Sequence, residues 1–421
     1  MLLPAAGQEL PPGVLLLSRI KAHVRQQIVA LPDYTCLETT ARYHKAAGAK
    51  TGLKQLDTVR LEVLFTGQRE MYASPGDRSF RNSHPGEFTS SGLSADGLFV
   101  THLQSLFVNE QAVIQYRGEV DLAGRPAARY DFRVPLMMSG WNVQLAGGGG
   151  IVGMKGSFWA DLESLDVLRL EIHADEIPLT VPAAEITAII DYARAGSGEV
   201  VLPQSARLYL QDVLGAESEN RVEFTHCRAF HAQSAVRFEP ASGGGPAPPE
   251  AARVVVREET LATIPAGLKV TIALTTPLDA QTAVGALLSG KVSGNVPYQG
   301  NILIPDGAPV EGRVRRLERH SDSGDYFVVG LEFSEIRVGD TLLSFYADLE
   351  GVEGAEAVEW SLWSSSSSVQ RLGWQDRRYV TTRERINLTG LPGVGSFFVR
   401  GSRLNLPPGF RMAWKTRAPE R

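Results

Sequence analysis

The chain has 421 residues, a net charge of −5 at neutral pH, 43% apolar residues and 21% charged residues. That length exceeds one ordinary core, so two domains are expected, and the balance of apolar and charged residues is that of an ordered globular protein. Mild acidity gives no basic footprint for a nucleic acid, and no run of about 18 uncharged apolar residues is present to make a transmembrane segment.

The first residues, Met1-Leu2-Leu3-Pro4-Ala5-Ala6-Gly7-Gln8, look like the tail of an apolar signal segment running into a small-residue cleavage site. We therefore expect an exported chain whose signal peptide begins upstream of Met1; a loose cytoplasmic N-terminus is the other reading. Ser18 can cap a helix in which Ile20, Val24, Ile28 and Leu31 share one face, and Pro32 ends it. A strand is expected over 34–44 and another over 58–69, where Val59, Leu61, Val63 and Phe65 alternate with polar residues. A second helix is expected over 98–108. A hairpin follows, 112–122 and 127–134, around Ala123-Gly124-Arg125-Pro126. The run Gly147 to Gly150 contains Gly148-x-Gly150-x-x-Gly153 but leads into a strand, so it reads as a flexible loop and not as a dinucleotide-binding turn. Further strands are expected over 156–160, 167–174, 185–195, 206–211 and 222–230. The fold class is mainly β: one antiparallel sheet with one or two packed helices, which must bury one face.

Residues 239–254 are nearly all Pro, Gly, Ala and Ser around Glu239 to Glu250, a linker composition. They divide a first domain, 15–238, from a second, 255–417. The second repeats an apolar-Pro-x-Gly signal at Ile264, Ile304 and Leu406. We expect type I turns with Pro at i+1 and Gly at i+3, although Pro408 would then sit at the disfavoured i+2 position. With strands expected over 268–274, 309–318, 326–333, 341–349 and 410–415, this part reads as a small all-β barrel. The stretch 351–390 is polar, with serine at every position from 364 to 368. Trp360, Trp363 and Trp374 there suit a surface loop or a partner-binding strip.

Two cysteines exclude a four-cysteine zinc site. In an exported chain Cys36 and Cys227 would form one disulfide; in a reducing compartment they would stay buried thiols. No GxSxG elbow, GxxxxGK[ST] loop or HExxH helix occurs; Gly92-Leu93-Ser94-Ala95-Asp96 fails at its last position. His226, Cys227 and His231 do not converge on a strand, and Asp161 and Glu163 read as a turn rather than as a catalytic pair. No catalytic residue, metal or cofactor is assigned, and no enzyme is expected.

The order helix, strand, long meander, then Gly156-Ser157-Phe158-Trp159-Ala160-Asp161-Leu162-Glu163 and Leu168-Arg169-Leu170-Glu171-Ile172, resembles the LolA/LolB-type half-barrel of lipoprotein-sorting proteins over roughly 30–230. The resemblance implies a curved sheet whose apolar inner face holds an acyl chain or a lipoprotein. Tyr34, Val63, Phe65, Phe158, Trp159 and Leu170 are the candidate groove residues. Ile264-Pro265-x-Gly267, Ile304-Pro305-x-Gly307-Ala308-x-Val310-x-Gly312-Arg313-Val314 and Leu404-x-Leu406-Pro407-x-Gly409 resemble the C-terminal β-barrel of TrbI-type proteins of envelope-spanning secretion and conjugation systems. Together they imply a periplasmic or outer-membrane-associated protein. Its half-barrel would bind an acyl chain, lipid or lipidated partner, and its barrel would dock to an envelope protein complex. The alternative is a purely structural component of a secretion or surface complex, with a filled half-barrel and no small-molecule ligand.

Overall fold

The structure, a computed structural model, describes residues 11–66, 69–77, 80, 88, 98, 100–109, 111–145, 148–195, 200–229, 262–321, 325–353, 358–359 and 393–419. The linker 239–254, the first eight residues and the tryptophans at 360, 363 and 374 lie outside the described residues.

The N-terminal helix α1 spans Pro12–Ala30 and begins earlier than the Ser18 cap implies, because Pro12 supplies the first-turn residue whose missing N–H is not needed. Its buried stripe is Ile20, Val24 and Ile28. Eleven strands follow in the first sheet. They are β1 Tyr34–Lys45, β2 Lys54–Thr66, β3 Arg69–Ala73, β4 Val113–Leu122, β5 Arg125–Val134, β6 Trp141–Leu145, β7 Gly148–Asp161, β8 Val167–Asp175, β9 Ala183–Ala195, β10 Val200–Asp212 and β11 Glu217–Ala229. The sheet order is β3-β2-β1-β11-β10-β9-β8-β7-β5-β4, with β6 folded onto β7. A short helix α2, Thr101–Phe107, is the second element on the concave side. The sheet curls into a half-barrel, and mean alternation sends Tyr34, Cys36, Val63, Phe65, Tyr130, Phe158, Leu170, Ile190 and Val222 to one buried face.

Three local features explain the departures from expectation. The hairpin turn is only Ala123 and Gly124, both with positive φ (54° and 84°), as a two-residue type I′ turn demands, so Pro126 lies inside β5. Gly148 to Gly150 are not a loop: they open β7, and a Cβ on Gly148 would stand 2.4 Å from the Thr180 carbonyl oxygen. Glycine there lets the 178–182 turn pack on the strand. At Gly156 a Cβ would fall 1.9 Å from the Glu171 carbonyl oxygen, so only glycine allows β7 and β8 to approach at that point.

Because β1 pairs with β11, the two ends of this sheet's sequence meet side by side. Their register jumps between Thr35↔Arg228 and Leu37↔Thr225, with His226 at φ 52° taking the extra residue. At this bulge Cys36 and Cys227 form a disulfide across a Cα–Cα distance of 4.1 Å and 191 residues of sequence.

The second sheet has ten strands and makes the small barrel. Its path is Ala262–Thr263, Thr341–Ser344, Tyr326–Val338, Pro309–His320, Leu287–Val292, Lys269–Leu274, Arg411–Thr416 and Ala347–Glu353. Trp414, Phe327, Phe397 and Met412 are buried at its centre. Two of the expected turns occur one residue later than the type I reading. Ala308 N–H donates to the Pro305 carbonyl and Phe410 N–H to the Pro407 carbonyl, placing Gly307 (φ 79°) and Gly409 (φ 89°) at the third position. That frame suits a type II turn and moves Pro408 to the favoured i+1 position.

The two sheets touch along β2. Strand β3 pairs only with residues 62–66 of β2, leaving the first half as an edge. Val284 fills it: its N–H donates to the Thr58 carbonyl at 2.7 Å, and its carbonyl accepts from the Arg60 N–H at 2.9 Å. Beside this bridge lie four buried charges. Arg42 donates through Nε to Asp57 Oδ1 at 2.6 Å and through Nη2 to Oδ2. Arg316 grips Glu318 with two bonds of 2.9 and 2.8 Å. Burial opposes the Glu318 charge, but hydrogen bonds from His320 and Arg316, and the charges of Arg316 and Arg42, hold its carboxyl well below the usual range.

Two outcomes are expected. Replacing Cys36 and Cys227 together by serine should lower the unfolding free energy by roughly 2–5 kcal/mol in urea titrations under oxidising conditions. Dithiothreitol should then have no further effect on the variant. Glu318→Gln should cost roughly 3–5 kcal/mol because it strands the buried Arg316, whereas the double change Arg316→Met with Glu318→Leu should cost far less. Equal losses in both would contradict the pairing.

Candidate functional site

Five of the six sequence-derived groove residues do sit on the concave face, but as packed core. Tyr34 is 9% exposed, Val63 1%, Phe65 4%, and Phe158 and Leu170 0%. The helices occupy the space an open groove would need: the Phe107 ring of α2 meets Phe158 edge-on at 5.0 Å, and Tyr130 stacks on Phe158 at 5.1 Å. The Tyr130 hydroxyl donates to the Gly13 carbonyl of α1 at 2.9 Å, and Arg25 Nε donates to the Phe107 carbonyl, tying both helices down. Trp159 is not on this face. One residue on from Phe158, it points to the convex side, where Arg129 lies over its ring at 5.4 Å.

A cavity of about 280 Å³ remains where the C-terminal half of α1, the start of α2 and the ends of β8, β9 and β10 fail to close. Its apolar wall includes Val24, Ile28, Leu103, Val167, Val200 and Val201. None of the six groove residues lines it. His23, Gln27 and Arg194 also line it, and all three meet on one carboxylate behind the lining. Asp166 is 3% exposed and accepts from His23 at 2.8 Å, Gln27 at 2.8 Å and Arg194 Nε at 2.7 Å. Burial would raise its pKa, but these hydrogen bonds outweigh it and hold the carboxyl below its ordinary value. His23 and Gln27 are one turn apart on α1, so the helix brings both to the same carboxylate.

Deeper on the concave face, β1 continues its inward phase with polar side chains. Glu38 is 6% exposed and Thr40 is 8% exposed, and the Thr40 hydroxyl donates to the Glu38 carboxyl at 3.1 Å. Burial, opposed by that bond and assisted by the charge of Glu70, pushes Glu38 up to about 7. Glu70 in turn accepts from the Tyr72 hydroxyl at 2.8 Å and from the Val100 N–H at 3.3 Å. Sequence reading missed Asp166, Arg194, Glu38 and Tyr192. A signal was present: polar residues at 38, 40 and 42, and at 192 and 194, keep the phase of the apolar residues before them. Among the described residues no group of three or more His, Cys, Asp or Glu side chains is placed to hold a metal.

With this geometry in hand, the chain can be set beside known proteins. No family model matches it, and no curated protein matches it in sequence. Solved structures do resemble parts of it. A DUF1329 family protein from Desulfovibrio piger is 12% identical, covering 53% of this chain and 96% of its own, at a TM-score of 0.28. A LolA superfamily protein from Nitrosomonas europaea is 9% identical over 51% of this chain and 94% of its own, TM-score 0.25. ComB10 of the Com type IV secretion system of Helicobacter pylori is 14% identical over 38% and 90%, TM-score 0.20. The neighbours thus include proteins of the two kinds that the sequence resembles.

The Glu38 environment has a measurable consequence. A carboxyl raised in the folded state from 4.5 to about 7 contributes its full stability below the unfolded value and loses it as pH climbs through about 7. Wild-type stability should therefore fall by roughly 2–4 kcal/mol between pH 4.5 and pH 8 from this group alone. Glu38→Gln should flatten that slope in urea titrations at both pH values; an unchanged slope would mean that Glu38 ionises without penalty.

Proposed function

We propose that the half-barrel is a binding or carrier module for a molecule bearing an acyl chain, either a lipid or a lipidated partner, in a bacterial envelope, and that the barrel docks the module to an envelope assembly. The observation that carries this reading is the cavity beneath α1. At about 280 Å³ it lies just below the roughly 300–1,000 Å³ of small-molecule sites. Its lining includes Val24, Ile28, Leu103, Val167, Val200 and Val201, which offer a hydrocarbon chain dispersion contacts, together with the polar His23, Gln26, Gln27 and Arg194. The polar lining residues are of the kind that a head group could contact.

The cover also suits a carrier. Three side chains of α1, Ile20, Val24 and Ile28, hold it on the concave face, each worth roughly 1.5–3 kcal/mol of burial. An acyl chain that replaced part of this contact would bury equivalent apolar area, so exchange between helix and ligand need not expose the core. A second reading, a structural component without ligand, is favoured by one observation: the rest of the concave face is filled by packed side chains.

Native mass spectrometry of the full chain purified from bacterial envelopes, followed by organic extraction, separates the two. The carrier reading expects acyl-bearing lipid at close to one per chain. Leu103→Trp, which fills the cavity, should cut that occupancy at least fivefold while the melting temperature holds. An empty wild-type chain would leave the structural reading in place.

A further inference from the structure

A second, smaller cavity lies where the two sheets meet, and it shares no residue with the first. Its volume is about 90 Å³, and it opens between the end of β1, the turn into β2 and the last residues of the barrel strand Pro309–His320. The lining is basic. His44, Lys45 and Lys54 come from the half-barrel, and Arg319 and His320 from the barrel. No described Asp or Glu lines it, in a chain where Asp and Glu outnumber Lys and Arg by 47 to 42. Two of the five basic groups are held by carboxylates outside the lining: Lys45 Nζ donates to Glu217 at 2.6 Å, and His320 Nε2 lies 3.0 Å from Glu318 Oε2. The other three are not neutralised. Lys54 Nζ donates across the contact to the Ser321 hydroxyl at 2.9 Å, a partner without charge. Arg319 has no hydrogen bond or ion pair among the described residues. His44 Nδ1 lies 3.4 Å from Ser218 Oγ, which leaves its Nε2 for a further partner.

The pairing of the strands keeps these groups together. His44 and Lys54 stand directly opposite each other in the β1–β2 register, where facing Cβ atoms are roughly 4.5–5.5 Å apart. Arg319 completes the lining from the second sheet. Cations gathered around one small space repel unless an anion shares it with them. The donors also select among anions. Two full positive charges match a doubly charged oxyanion better than a single carboxylate. A guanidinium fork grips two oxygens of a phosphate at once, and lysine adds a point charge. The volume admits such a group and leaves anything attached to it outside. We propose that this cavity binds a phosphate group, held by Lys54 and His44 from one sheet and by Arg319 from the other. The bound anion would then join the two sheets next to the Arg42–Asp57 and Arg316–Glu318 pairs, since His44 and His320 each lie two residues beyond a member of those pairs. The site stands on its own groups and does not depend on the carrier reading.

The test has two arms, both on the full chain at low ionic strength, where such contacts are least screened. In the first, inorganic phosphate is titrated in by calorimetry. In the second, the chain is sedimented with phosphatidylcholine vesicles that either contain or lack phosphatidic acid. Three proteins are compared. Arg319→Gln removes a side chain without a partner, so its melting temperature should match the wild type, yet phosphate should bind about tenfold more weakly, the loss expected for a charge-assisted contact. Lys291→Gln removes the same charge from an exposed position outside the cavity and should bind as the wild type does. Wild-type binding of inorganic phosphate that weakens only in Arg319→Gln supports the site and shows that a free phosphate suffices. If inorganic phosphate fails but vesicles bind when they carry phosphatidic acid, again with loss only in Arg319→Gln, the site holds and a lipid head group is its source. If neither probe binds, or Lys291→Gln weakens binding as much as Arg319→Gln, the proposal is overturned and the cluster is a solvated basic patch.

Discussion

An antiparallel sheet of eleven strands with one apolar face cannot stand alone in water, and among the described residues no second sheet is laid over that face. Curling reduces the area to be covered, and the residue is closed by two helices. Ile20, Val24 and Ile28 of α1, and Leu103, Leu106 and Phe107 of α2, meet Tyr130, Phe158 and Leu170 from the strands. The cavity is where this covering stops, at the C-terminal end of α1 and the ends of β8, β9 and β10. Position, size and lining of the candidate site thus follow from how far two helices reach across a curved sheet.

The same face carries charge toward the second sheet. In β1 the inward phase runs from Tyr34 and Cys36 through Glu38 and Thr40 to Arg42. Arg42 meets Asp57 on the neighbouring strand; Asp57 lies within electrostatic reach of Arg316 and Glu318, and Arg42 within reach of Glu318. Buried pairs of this kind are seldom a net source of stability, since desolvation offsets most of their attraction. Their value lies in selectivity: each charge is tolerated only with its partner in place. The backbone bridge at Val284 adds the same restriction, because Gly285 (φ 93°) comes so close to the Arg60 carbonyl that a Cβ would stand 2.4 Å from it. Side-chain charge and backbone contact thus specify one way for β2 to meet the barrel.

Much of the fold was legible in the chain. Alternation in Val59, Leu61, Val63 and Phe65, the helical repeat of Ile20, Val24 and Ile28, and the glycine at each barrel turn all mark local geometry that single residues enforce. What escaped was anything decided by an approach between distant segments. The glycine run reads as a loop until the carbonyl of Thr180 is seen against it. Trp159 reads as a groove residue only while the phase set by Phe158 is overlooked. Asp166, within a turn, gains its meaning from His23 and Gln27, more than a hundred residues earlier.

By itself the sequence determined the class of the molecule: strand periods, turns, two sheets' worth of chain, and two cysteines on strands able to pair in an oxidising compartment. These follow from local rules, in which each residue's preference acts within a few positions. Only the tertiary structure decided that the concave face is mostly filled, that the remaining space lies beside α1, and that Tyr192 and Glu38 are buried. Those outcomes depend on which side chains arrive together from different strands, and pairing order in an antiparallel sheet, β1 beside β11 above all, is set by packing over the whole chain and not by any segment of it.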